Sequence, residues 1–193
     1  MNNEAQAEEV TIKNEEPFQY LTFTLDGENF ATQISRVREV LEYDKISPLP
    51  HTPDYMLGVI NLRGSVVPVM DMRLQFGVEA KEPTVDTCII IVEVLVDGES
   101  LVLGALVDTV QEVIDLRAEE IEPAPTLGSR INTQFIHGMA KVDDEFVIVL
   151  DMEQVFYTDE LEQVQQQQVK QQQVKQQDEL MSEDDLQPVM DTG

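Results

Sequence analysis

Gly58-Val59-Ile60-Asn61-Leu62-Arg63-Gly64-Ser65-Val66-Val67-Pro68-Val69-Met70-Asp71-Met72 is the stretch on which the fold turns, because most of its pattern occurs again. It reads as a glycine opening, a turn, an apolar strand and an aspartate suited to start a helix. Later in the chain come Gly138-Met139-Ala140, another apolar strand, and Asp151-Met152. Each copy is preceded by a Pro-x-Pro segment, Pro48-Leu49-Pro50 and Pro123-Ala124-Pro125. Before these stand Val37-Arg38-Glu39-Val40 and Val110-Gln111-Glu112-Val113. The spacing between matching positions is the same for the glycine and the aspartate, and it grows only where a loop can absorb an insertion.

Each repeated part has a physical role. Val-x-x-Val puts two apolar groups on one side of a short turn or bent strand. Pro-x-Pro is stiff and extended, suited to crossing between sheets. Glycine permits a tight connection. Asp71 and Asp151 can cap the helices that follow, and Gln154 is spaced for a capping box after Asp151. Two copies predict two small β barrels of roughly 65 to 70 residues each, a size only marginally stable alone. They are expected to bury a shared face, and that interface makes a groove.

Outward from the repeat, the chain reads as short strands. Leu21, Phe23 and Leu25 alternate with Thr22 and Thr24, and Asp26-Gly27 then supplies a hairpin turn. Cys88 to Val96 and Leu101 to Val107 flank another turn, and Phe146 to Leu150 follows an acidic one. Pro68 predicts an edge or a bulge for the strand Ser65 to Met70. Short helices are expected at Pro53 to Gly58, after Asp71 and after Asp151. The spacing is that of an all-β sandwich or barrel.

Composition divides the chain into three zones. Residues 1–16 hold five Glu, one Lys and no aromatic, and are expected to be a disordered acidic arm. Residues 17–158 hold every aromatic. From Gln163 to Gln177 ten of fifteen residues are Gln, so 159–193 is expected to be a helix end followed by a disordered Gln-rich and acidic tail. The 12 basic residues against 38 acidic ones leave a net charge of −26. That excludes a nucleic-acid binder, which needs a basic patch, and disfavours an anionic membrane surface. A single cysteine excludes an internal disulfide and fits a reducing cytosol. Met1-Asn2-Asn3-Glu4 does not start a secretory signal. Glu93, Asp97 and Glu99 interrupt the longest apolar stretch, which therefore does not read as a membrane span.

No catalytic constellation is visible, and no metal or cofactor site. His51 and His137 read as a loop and a turn histidine without a second ligand at metal spacing. Cys88 reads as a buried, inert thiol. Asp143-Asp144-Glu145 reads as a solvated hairpin tip. Glycine-rich phosphate loops are absent. One residue stands out: Arg63 projects from the turn Asn61-Leu62-Arg63-Gly64, and the second copy has no arginine there. Lys141 falls two places before the equivalent position.

At these residues the chain resembles a known family. Gly58 to Gly64 followed by Val66 to Asp71 is similar to the signature of CheW, the chemotaxis coupling protein. Val37 to Val40, Val107 to Val113, Glu122 to Pro125 and Phe135 to Gly138 match further marked segments, in order, over residues 17–158. The resemblance implies two five-stranded SH3-like barrels around a common hydrophobic zone, with short helices and a C-terminal helix. It implies a non-enzymatic cytoplasmic adaptor without cofactor. Such an adaptor joins chemoreceptor tips (methyl-accepting chemotaxis proteins) to the histidine kinase CheA in arrays at the inner face of the membrane. It is expected to be a monomer when free. The positions matching the receptor groove are Val37, Arg63, Val66, Ile89, Val110 and Val113. Glu39, Tyr43 and Gly58 match the kinase-facing surface. The alternative is a CheW-like coupling protein of a non-flagellar pathway, such as twitching motility or second-messenger control.

Overall fold

The structure, a computed structural model, describes residues 16–96, 98–125 and 131–157. The unit traced below ends at Val155, and a second unit begins at Phe156. Alternating residues make the first hairpin from β1 (Phe18–Leu25) and β2 (Glu28–Gln33). Asp26 and Gly27 turn it with φ of 52° and 82°, the left-handed pair that a two-residue hairpin needs. β3 (Val37–Glu42), β4 (Met56–Leu62) and β5 (Ser65–Asp71) follow, and then the one-turn helix α1 (Met72–Gln75). A second hairpin pairs β6 (Cys88–Val96) with β7 (Glu99–Val107). β8 (Thr109–Leu116), the two-residue β9 (Ile121–Glu122), β10 (Ile136–Val142), β11 (Glu145–Leu150) and α2 (Met152–Phe156) complete it.

The strands form two sheets, and the repeat maps onto both. One sheet runs β3-β6-β7-β5-β4, the other β8-β1-β2-β11-β10-β9. β3, β4 and β5 of the first copy correspond to β8, β10 and β11 of the second. The hairpins are exchanged. β6-β7 comes after the first copy yet completes that copy's sheet, while β1-β2, at the start, completes the sheet of the second. Each sheet contains one parallel pair, β5 with β7 and β11 with β2. The sheet of the second copy therefore cannot form from one contiguous half of the chain. We call the first sheet the middle barrel and the second the end barrel. β9 gives the latter its sixth strand.

The middle barrel closes around Val67, Val69, Ile89, Ile91 and Leu106, with Leu41 of β3 and Leu57, Ile60 and Leu62 of β4 packed on the same cluster. Its two edge strands thus meet over one core. Tyr20, Ala31, Leu116, Ala140, Val147 and Val149 form the corresponding core of the end barrel. Between them runs a row of rings. Phe23 stacks on Phe30 and Phe30 on Phe76, both with centroids 5.8 Å apart, and Phe76 meets Phe135 at 5.9 Å. Phe76 follows α1 of the middle barrel, so the row joins the two. Each contact adds about 0.5–1.5 kcal/mol beyond its buried area.

Gly58 and Gly138 do the same work in each copy. A Cβ on Gly58 would lie 2.1 Å from the Ser47 carbonyl oxygen, and one on Gly138 would lie 2.7 Å from that of Glu122. Ser47 bridges Val59 just as Glu122 pairs with Met139, so the segment before each Pro-x-Pro lies tight against the glycine strand. Three expectations change. Pro53 to Gly58 is not a helix: turns at Asp54 and Tyr55 lead into β4 at Met56, and a register shift between Met56 and Gly58 breaks the alternation that marks a strand. The turn that carries Arg63 accordingly joins two paired strands. Pro68 lies in an interior strand, but the ladder of β5 with β7 begins only at Val69, so its missing N–H is not needed. Cys88 is half-buried rather than buried. The acidic arm, apart from Glu16, and the Gln-rich tail lie outside the described residues.

Candidate functional site

Arg63 sits at the tip of the β4–β5 hairpin. Its φ is 51°, followed by Gly64 at 89°, and the Asn61 side-chain oxygen accepts the Gly64 N–H at 2.9 Å. A non-glycine residue in this region costs about 1–2 kcal/mol. The turn therefore holds Arg63 outward against a local preference. Its guanidinium Nη2 lies 2.8 Å from Glu39 Oε2 on β3. β3 and β4 are opposite edges of the sheet, so this ion pair also spans the closure of the barrel. Arg63 is 79% exposed and Glu39 only 23%. One edge of the guanidinium is held while the rest faces solvent. At such exposure the pair adds little stability, about 0–1 kcal/mol, and its role is orientation.

The other sequence-predicted residues divide between the barrels. Val66 is exposed on β5 and Val37 half-buried at the start of β3. Ile89 is 1% exposed and lies in the barrel core. Tyr43 is exposed just past β3, where its N–H donates to the Thr87 carbonyl. Gly58 is buried, with φ of 143° and the close approach described above. Val110, half-buried, and Val113, exposed, belong to β8 of the end barrel, opposite Phe23 and Leu21 of β1. The Thr22 hydroxyl supports that strand at its register shift by accepting the Glu112 N–H at 3.1 Å and donating to the Glu112 carbonyl at 2.8 Å. The structure thus joins Arg63 directly to Glu39 and sets Val37 and Val110 at equivalent strand starts.

A buried charge network underlies the junction of the barrels. Asp71 caps α1, its Oδ1 accepting the Arg73 N–H at 2.9 Å and the Arg73 Nε–H at 3.2 Å. Both side chains are buried. Arg73 Nη1 lies 3.1 Å from Asp108 Oδ1, close enough for an ion pair but off the line of a hydrogen bond. Asp108 Oδ2 accepts the Asp26 N–H at 2.8 Å, which ties in the turn of the first hairpin. Asp26 also binds Lys81, and that hydrogen bond holds the Lys81 ammonium above its ordinary pKa. At the equivalent place in the end barrel, position 153 is Glu rather than Arg. Glu153 pairs with Arg36 at 2.6 Å, both about one-third exposed. The same junction is locked twice, with the charges reversed and the burial different.

Comparison with known proteins agrees with this architecture. Residues 19–160 match the CheW-like domain family. The chain belongs to the CheW-like family. It is 34% identical over 142 residues to the chemotaxis protein CheW of Rhizobium meliloti (strain 1021), covering 74% of this chain and 89% of that protein. It is 31% identical over 156 residues to the chemotaxis protein CheW of Helicobacter pylori (strain ATCC 700392 / 26695), covering 81% and 92%. The crystal structure of the scaffolding protein TtCheW from Thermoanaerobacter tengcongensis aligns with a TM-score of 0.67 at 34% identity, over 77% of this chain and 93% of that one.

Sequence reading missed some of this CheW-like surface. Val40, next to Glu39, is exposed and is the equivalent of exposed Val113. Exposed Phe146 holds the place in β11 that exposed Val66 holds in β5. Scattered apolar residues on a surface mean little. A pair kept at equivalent positions of both barrels is a signal, and aligning the two copies could have found it. Among the described residues no group of three or more His, Cys, Asp or Glu could hold a metal ion, and no helix is long and apolar enough to cross a membrane.

Proposed function

We propose that this chain is a non-enzymatic adaptor of chemotaxis arrays that couples the cytoplasmic tips of chemoreceptors to the histidine kinase CheA. The observation that carries the reading is the Arg63–Glu39 pair, which holds an exposed cation on a strained turn of a CheW-like barrel. Arg63 meets a carboxylate or polar backbone group of the receptor. Val37, Val66, Val110 and Val113 receive its apolar residues, and Ile89 supports them from the core. Glu39 and Tyr43 face the kinase, and Gly58 holds the strand beside them in place. Because Glu39 grips Arg63, a receptor that draws on the guanidinium also disturbs the kinase-facing carboxylate. Couplings of this kind are worth about 1–3 kcal/mol and act in both directions. The protein works in the cytoplasm, as a monomer when free.

The test is a pair of titrations of the labelled protein, one with a receptor signalling fragment and one with the regulatory domain of CheA. Arg63→Glu should weaken receptor binding at least tenfold with the fold intact. Unchanged receptor binding in that variant would remove Arg63 from the interface.

A further inference from the structure

The two barrels differ at one end, where the end barrel has a cavity. In the middle barrel Ile89 faces Leu106 across the β6–β7 pair, and Leu57 packs on the same cluster, so that end is plugged with apolar side chains. The equivalent facing pair in the end barrel is Tyr20 and Gln33, and His137 precedes Gly138 just as Leu57 precedes Gly58. Three apolar positions have become polar together. A cavity of about 130 Å³ opens there, walled also by Arg36, Asp151 and Glu153. A second cavity of about 220 Å³ shares Tyr20, Gln33 and His137 with it and continues over Phe18, Ile121 and Pro123. The result is a polar chamber with an apolar porch.

We infer that this chamber binds an organic cation, a guanidinium or ammonium group on an aliphatic stem. Charge decides the sign. Arg36 is already committed to Glu153. Asp151 Oδ1 accepts the Glu153 and Gln154 amides at 3.0 and 3.2 Å, and the residue lines the chamber. The wall therefore keeps one carboxylate more than it has cations, in a chain of net charge −26. Thr32, fully buried in the same wall, has a hydroxyl with no partner among the described residues. The middle barrel shows what such a carboxylate takes. Asp71, the equivalent of Asp151, holds the guanidinium of Arg73 through Nε at 3.2 Å and Nη2 at 3.4 Å. In the end barrel Glu153 replaces that arginine and takes up Arg36, so a further cation at Asp151 would come from outside. Phe18 and Tyr20 line the second cavity, where aromatic side chains suit an aliphatic stem and a cation.

Two sources share this chemistry, a free small cation and an arginine side chain of a partner, and the experiment separates them. Amide shifts of Gln33, His137 and Asp151 are followed while n-butylguanidinium, the peptide acetyl-Gly-Arg-Gly-amide, or n-butyrate is added. At least one cation should give saturable shifts at these three residues, and butyrate should give none. If the peptide saturates at tenfold lower concentration than butylguanidinium, the occupant is a partner's arginine; the reverse order assigns a free small cation. The double variant Gln33→Leu/His137→Leu rebuilds the plug of the middle barrel and should weaken cation binding at least tenfold. The inference is overturned if neither cation saturates, if butyrate binds as well as they do, or if a folded double variant binds unchanged. The wild-type titrations decide the matter even if that variant does not fold.

Discussion

Replacing Arg73 by Met should cost far more than replacing Arg36 by Met, although the two arginines secure equivalent junctions. Both changes keep most of the aliphatic stem and remove one positive charge. Arg73 is 3% exposed, and so is Asp71, which it holds through two side-chain contacts. Without the guanidinium, the buried Asp71 side chain keeps, among the described residues, only a backbone N–H, and Asp108 loses its ion pair with Arg73. Breaking a buried pair in this way costs about 3–5 kcal/mol. Arg36 and Glu153 are 36% and 34% exposed, so water screens both partners, and their separation costs about 0–1 kcal/mol. In a domain of this size 1 kcal/mol moves the melting temperature by about 2–4 °C. Arg73→Met should therefore lower it by about 6–20 °C, and Arg36→Met by no more than about 4 °C. Urea unfolding followed by circular dichroism reads the same difference as a shift in midpoint at constant slope. Equal, small losses for both variants would refute the view that the buried network secures the junction of the barrels.

Other expectations follow from single contacts. Gly58→Ala must place a methyl 2.1 Å from the Ser47 oxygen at a φ of 143°, and should destabilise by about 2–5 kcal/mol in the same urea assay. Gly27→Ala meets no neighbour within 4 Å and carries only the conformational strain, so its loss should be the smaller. Glu93 accepts hydrogen bonds from Ser100 and Arg38, which lower its pKa from 4.5. A lowered carboxylate pKa stabilises the fold above the unfolded value and loses that contribution as pH falls through the folded one. Glu93→Gln should thus flatten the stability profile below pH 4.5 and leave its alkaline limb unchanged. Arg63→Ala should change stability by less than about 1 kcal/mol, because the pair is exposed, so any binding defect it shows comes from the interface.

Much of the architecture is legible in the chain because its signals are local. Asp26-Gly27 announces a hairpin, and Asp71 and Asp151 announce caps. The repeat around Gly58 and Gly138 announces two similar barrels. What is not legible depends on distant partners. No periodicity tells which sheet the β1–β2 hairpin joins, and it joins the one built from the far end of the chain. Arg73 reads as an ordinary charged residue of a short helix, and only the approach of Asp108 makes its burial tolerable. Tyr20, Gln33 and His137 lie on three separate strands, so their convergence is invisible along the sequence. At the candidate site the turn of Arg63 could be read directly. Its pairing with Glu39 could not, because it requires the two edges of a sheet to meet.

Coupling of receptors to a kinase through Arg63 and the surface around it is the central claim. The most direct measurement reconstitutes the purified protein with a chemoreceptor signalling fragment and CheA, and follows kinase phosphorylation with wild type and with Arg63→Glu side by side. Wild type should give receptor-dependent kinase control, and the folded variant should lose that control together with receptor binding. A wild-type protein that binds neither partner, or a variant that couples as well as wild type, would contradict the claim.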